Sequence, residues 1–111
     1  MIKKLNRFTN QSVIRKLMSS RSQVRGPGLT LKYISNNQQQ FRLAVVVSKK
    51  TAKSAVVRNR IRRRVFAWAE DRASELPALD MVVFAHTTEV AQMPKTELDQ
   101  RLDTLLGKLQ S

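Results

Sequence analysis

Residues 41–66 read "FRLAVVVSKKTAKSAVVRNRIRRRVF", and the character of the chain changes twice within them. "FRLAVVVS", residues 41–48, is a short apolar run rich in β-branched residues, the composition of a strand. "KKTAKS", residues 49–54, breaks it with a basic loop, and Ser54 stands where its hydroxyl can cap a helix. From Ala55 the apolar period lengthens: Val57, Ile61, Val65, Trp68 and Arg72 form one stripe, which predicts a helix over 55–74. A strand, a basic loop and a helix, with another apolar run close behind, form a β-α-β crossover and imply an α+β domain with a mixed sheet.

Downstream, residues 75–79 around Pro77 end that helix, and "DMVVFAH", residues 80–86, reads as a short buried strand. "MPKTELDQRLDTLLGKL", residues 93–109, is an amphipathic helix with Pro94 in its first turn and Leu98, Leu102, Leu105 and Leu109 on one face. Upstream, "LTLKYI", residues 29–34, is a strand, and the polar "SNNQQQ" after it suggests an antiparallel hairpin with 41–48. "SSRSQVRGPG", residues 19–28, reads as a loop broken by Gly26, Pro27 and Gly28. A short helix over 10–19 places Val13, Ile14, Leu17 and Met18 on one face, with Asn10 or Ser12 as its cap. The expected order is α-β-β-α-β-α, in a single domain spanning 1–111.

The charge is as uneven as the pattern. The chain of 111 residues carries +13 in all, but residues 1–69 hold 17 Lys and Arg and no acid, whereas residues 70–111 hold 4 basic and 8 acidic residues. The segment charges are +17 and −4. Self-repulsion on that scale points to a polyanion as partner. With no cysteine, neither disulfides nor thiolate metal sites are possible, and with no apolar run of signal-peptide or membrane-spanning length the expectation is a cytoplasmic protein with no membrane partner.

Catalysis by the chain's own side chains is not expected. His86 is the one histidine, placed at a strand end, and the acids are scattered without metal-ligand spacing. The helix is more informative. Five arginines between 58 and 64 have no acid within four residues, so intrahelical pairs cannot neutralise them. They crowd the positive end of the helix dipole, where an acid would suit local stability better. A phosphate turns both disadvantages into binding, because free amides, dipole and guanidinium forks all favour an anion there. With Ile61 toward the core, Arg58 and Arg62 lie on one flank while Asn59, Arg60 and Arg63 spread over the other and the outer side. Trp68 lies in the apolar stripe and reads as core.

The run from Arg42 to Val65, strand then Ser-Lys-Lys loop then a helix opening Arg-Asn-Arg, resembles the protein subunit of bacterial ribonuclease P. Weaker agreement in "LNRFTNQSVIRKL", "ELPALDMVVFAH" and the C-terminal leucine helix extends the likeness over nearly the whole chain. The resemblance implies an α+β sandwich like domain 2 of ribosomal protein S5, with a left-handed β-α-β crossover where the general rule is right-handed. It implies an endoribonuclease component acting in tRNA 5′ maturation. The catalytic RNA would supply the active site, with Mg²⁺ bound mainly by that RNA and by substrate. This chain would bind the catalytic RNA and the 5′ leader of precursor tRNA, with no obligate protein partner.

Carried over by position, the RNA-contacting residues are Arg58, Asn59, Arg60, Arg62, Arg63 and Arg64, with Lys49, Lys50 and Lys53 in the basic loop. A leader cleft between the first helix and the sheet is assigned to Val13, Leu17, Tyr33, Val45 and Val47, with Tyr33 able to stack on a base. Four positions depart from the family pattern: it has aromatic residues where Val13 and Leu17 align, glycine at Ala52 and a basic residue at Phe66. Three rivals fit the charge without the motif. They are a ribosomal-protein-like RNA binder or RNA chaperone, a DNA regulator with residues 55–66 in a major groove, and a peripheral membrane binder.

Overall fold

The computed structural model describes residues 11–19, 22–35 and 40–110, with the side chains of 11–13 and 110 outside that description. Its elements are α1 (Gln11–Met18), β1 (Gln23–Gly26), β2 (Leu29–Ser35), β3 (Arg42–Val47), α2 (Ala55–Asp71), β4 (Leu79–Ala85), α3 (Glu89–Gln92) and α4 (Lys95–Gln110). The four strands form one mixed sheet in the order β1-β2-β4-β3. The proposed cap Asn10 lies outside the described residues.

Two expectations about strand pairing are corrected. Residues 23–26, read as loop, form β1, an antiparallel partner of β2 with Gly26 opposite Leu29. Pro27 and Gly28 between them make the turn: proline fixes the second position and Gly28, at φ 76°, adopts the left-handed third position of a type II turn. The glycines that argued against a strand are therefore its hairpin. The second correction is that β2 and β3 do not pair, because β4 lies between them, antiparallel to β2 and parallel to β3. Asp80, Met81, Val82 and Val83 are buried in succession, which requires a strand covered on both faces and so puts β4 inside the sheet. The chain from β3 reaches it by crossing over through α2.

Side-chain parity sorts the sheet into two faces. Leu29 and Leu31, Leu43, Val45 and Val47, and Met81, Val83 and Ala85 face α2, α3 and α4, where Ile61, Val65, Trp68, Val90, Leu98, Leu102 and Leu105 complete the main core. Gly26 lies close under α4, where an added Cβ would meet Leu105 at 3.3 Å. Ala44 and Val82 face the other way, against Leu17 of α1, with Ile14, Ile34, Val46 and Phe84 packed around them. Of the stripe expected in α1, Leu17 is buried and Met18 is exposed.

The long helix ends at Asp71, three residues before the expected 74, with Arg72 as its cap. The amide of Arg72 closes the last turn onto Trp68 and Ala69, and Leu76 then returns to the core. The turn α3 escaped sequence reading because four residues are too few for a period. The carbonyl of Pro94 accepts the first bond of α4, from the Leu98 amide at 3.1 Å.

Candidate nucleic-acid interface

The basic loop and the start of α2 are built by short-range bonds. The Ser54 hydroxyl accepts from the Val57 amide at 3.4 Å, the cap that the sequence predicts. The Ser48 carbonyl accepts from the amides of Thr51 and Ala52, turning the chain so that Lys49, Lys50 and Lys53 are exposed. The Ala52 methyl is buried in the main core, so the position where the family has glycine anchors the loop from below. Phe66 likewise packs against that core, which gives the side chain at this departed position a structural task.

The arginines of α2 divide by what they hold. Arg58 donates from Nη1 to the carbonyls of Ala52 and Lys53, at 2.8 and 3.0 Å, and so ties the loop to the helix. Arg62 donates to Asn59 Oδ1 at 2.8 Å, which leaves the Asn59 amide nitrogen available as a donor. Arg64 is the exception among the expected RNA contacts. Its Nη1 donates to the Val90 carbonyl at 2.7 Å and its Nη2 to that of Met93, fastening α3 to α2. Burial first, and then the charge of Arg60, push the Arg64 guanidinium below its ordinary value. Arg60 and Arg63 are exposed and have no hydrogen bond or ion pair to a described residue. They are the arginines of this helix with no donor committed to a described residue.

The open face of the sheet holds a second basic feature. A groove of about 490 Å³ runs beside the end of α1, lined by Met18, Arg25, Thr30, Lys32, Phe84 and His86 among others. Lys32 donates to the Met18 carbonyl at 2.5 Å, with its ammonium 5.7 Å from the centre of the Phe84 ring. Thr30 Oγ1 and His86 Nε2 lie 2.8 Å apart. None of the residues expected to form a cleft between α1 and the sheet is among those that line this groove. Tyr33, Val45 and Val47 belong to the opposite face, packed into or against the main core, while Leu17 is fully buried beneath α1. The Val13 side chain lies outside the described residues. The sequence carried the signal in "LTLKYI": if Leu29, Leu31 and Tyr33 face the core, then Thr30 and Lys32 face α1.

No described group of three His, Cys, Asp or Glu residues is placed to hold a metal ion. Asp80, the one buried acid among the described residues, is engaged by Arg42 at 2.6 and 2.7 Å. No described helix is long and apolar enough to cross a membrane.

Comparison with known proteins gives one answer at three levels. The Ribonuclease P family model matches residues 2–110. The ribonuclease P protein component of Coxiella burnetii is 33% identical over 104 residues, covering 94% of this chain and 85% of that protein. A structure of a Staphylococcus aureus RNase P protein mutant with defective mRNA degradation activity superposes with a TM-score of 0.85 at 23% identity, covering 96% and 90% of the two chains. The Thermotoga maritima RNase P protein gives 0.81 at 17% identity, covering 92% and 96%.

Proposed function

Since the chain belongs to the ribonuclease P protein family, we propose that it pairs with a catalytic RNA and helps that RNA to remove the 5′ leader of precursor tRNA. The observation that carries this reading is the unneutralised start of α2. Arg60 and Arg63 face outward unbound, beside a loop that exposes Lys49, Lys50 and Lys53. Arg58 holds the loop against the helix, so these cations are presented as one surface at the positive end of a helix dipole. That surface takes the catalytic RNA. The groove with Lys32, Arg25, Phe84 and His86 takes the single-stranded leader: the two cations meet phosphates and the exposed part of Phe84 offers a base something to stack on.

In this reading the chain binds and orients RNA and performs no bond-breaking step. Phosphodiester hydrolysis belongs to the RNA subunit, whose Mg²⁺ ions sit on RNA and substrate and not on this chain. By lowering the repulsion between the two RNAs, the protein lets cleavage proceed at less Mg²⁺. Its place of work is the cytoplasm. Reconstitution with a bacterial ribonuclease P RNA tests the proposal. At low Mg²⁺ the chain should stimulate precursor-tRNA cleavage, and equal rates with and without it would overturn the proposal. An RNA chaperone would anneal unrelated RNAs equally well and show no such dependence on the ribonuclease P RNA.

A further inference from the structure

The face of α2 that carries Arg60, Arg63, Arg64 and Ala67 does not look onto open solvent alone. Together with Lys95 and Asp99 at the start of α4 it walls a second groove, of about 330 Å³, with Leu98 at its base. The volume is at the small end of the range for ligand sites, roughly 300–1,000 Å³. Three guanidinium groups and one ammonium converge on it. Arg64 is spent on backbone carbonyls, which satisfy its donors without cancelling its charge. Lys95 lies 2.6 Å from Asp99 and 3.4 Å from Asp71, so those carboxylates are paired while Arg60 and Arg63 remain unneutralised. The Arg64 guanidinium lies below its ordinary value first through burial and then through the Arg60 charge, with the Asp99 carboxylate opposing both.

We propose that this groove is a backbone-phosphate site, in which Lys95 joins Arg60 and Arg63 in holding one RNA phosphodiester while its ribose rests on Ala67. The proposal builds on the RNA-binding reading above and extends its footprint across α2 to α4, a helix whose sequence gave no reason to include it. The occupant follows from the chemistry of the walls. Guanidinium forks match phosphate oxygens bidentately, and Lys95, whose side chain is two-thirds exposed, has a third ammonium donor beyond those on Asp71 and Asp99 with which to reach a phosphate. The groove lies open between two helices, so it suits a strand passing through and not a closed-in small molecule. The phosphate comes either from the catalytic RNA or from precursor tRNA.

Titration of the full chain with a bacterial ribonuclease P RNA, and of the reconstituted holoenzyme with precursor tRNA, separates the two sources. Lys95→Gln should weaken one of these two associations several-fold and lower its log-log salt slope by about 0.7 to 0.9, the share of one phosphate contact. Lys95→Arg should restore both. Ala67→Phe fills the groove without changing charge, and it should also lower the salt slope, which a loss of general surface charge cannot mimic. Wild-type affinity and slope on both RNAs for Lys95→Gln and Ala67→Phe would overturn the proposal. If Ala67→Phe unfolds, as circular dichroism would reveal, Lys95→Gln decides alone. A wild-type chain that binds neither RNA would instead overturn the underlying reading of function.

Discussion

The first ten residues of α2 and its C-terminal end hold arginine in opposite settings. Between Ala55 and Arg64 five arginines are present, and none forms an ion pair with a described residue. Arg72, at the other end, donates from Nε and Nη2 to the two oxygens of Asp103 at 3.0 and 3.1 Å, and Trp68 Nε1 adds a third bond to that carboxylate at 2.9 Å. One helix thus carries cations whose partners lie within the fold and cations whose partners do not. The acids of the chain all follow residue 69, and they complete the end of the helix that supports the core. The difference locates function: where arginine meets a carboxylate or carbonyl of the fold it builds structure, and where it meets neither a ligand has to supply the anion.

The comparison predicts that damage to the C-terminal end reads out as stability. Trp68 is 1% exposed within the main core. Trp68→Ala should cost about 3–5 kcal/mol, measured by urea unfolding followed by circular dichroism. RNA affinity should be retained under conditions where the variant is still folded. A folded variant with no loss of stability, or with lost RNA binding, would break the division. Asp80→Ala offers a smaller test of the same rule on the sheet's open face. Its side chain is 5% exposed and accepts both bonds from Arg42, so its loss should cost about 1–3 kcal/mol without changing the salt dependence of RNA binding.

Arg64 sharpens the comparison because it lies in the first half and behaves like the second. Arg64→Ala should lower stability by about 1.5 kcal/mol through the loss of two charge-assisted bonds that fasten α3. Its effect on the salt slope should be small. Arg60→Ala, four residues earlier, should do the reverse: stability within about 0.5 kcal/mol of wild type and a salt slope lower by about 0.7 to 0.9. If the two variants exchanged these signatures, exposure and hydrogen bonding would be the wrong guides to which arginines meet RNA.

The parts of the molecule that sequence pattern made legible are those governed by a repeating period. The stripe Ile61, Val65 and Trp68, the leucines of α4 and the apolar runs of β3 and β4 each stand where their spacing predicts. The cap at Ser54 was legible for a similar reason, since it depends on three residues of local chain. Strand order was not legible, because β3 and β4 meet through a long crossover and nothing in either run names its neighbour. Strand parity was not legible either: Tyr33, Val45 and Val47, expected beside α1, face the larger core, as most apolar residues on these strands do. Arg64 could not be separated from Arg63 in sequence, since both are helical arginines and the carbonyls that bind Arg64 belong to residues 90 and 93.

The smallest expected effect lies in acid and concerns the neutralised end alone. Burial by itself would raise the Asp103 carboxyl, but the hydrogen bonds from Arg72 and Trp68, with the Arg72 charge, outweigh it and hold the group below the ordinary aspartate value of 3.8. A carboxyl depressed in the folded state binds its proton more readily when unfolded. The stability it contributes is therefore present above that ordinary value and is lost as pH falls through the lower folded value. Thermal melts from about pH 5 down to 2 should show this share of the acid destabilisation in the wild type and a shallower decline in Asp103→Asn, which has already lost it. The guanidinium groups of Arg60 and Arg63 have no such partner to protonate within the described fold. Substituting either should leave the slope of stability against pH unchanged. A change of that slope in Arg60→Ala equal to that in Asp103→Asn would mean that the start of α2 is neutralised within the protein after all, and the contrast between its two ends would fail.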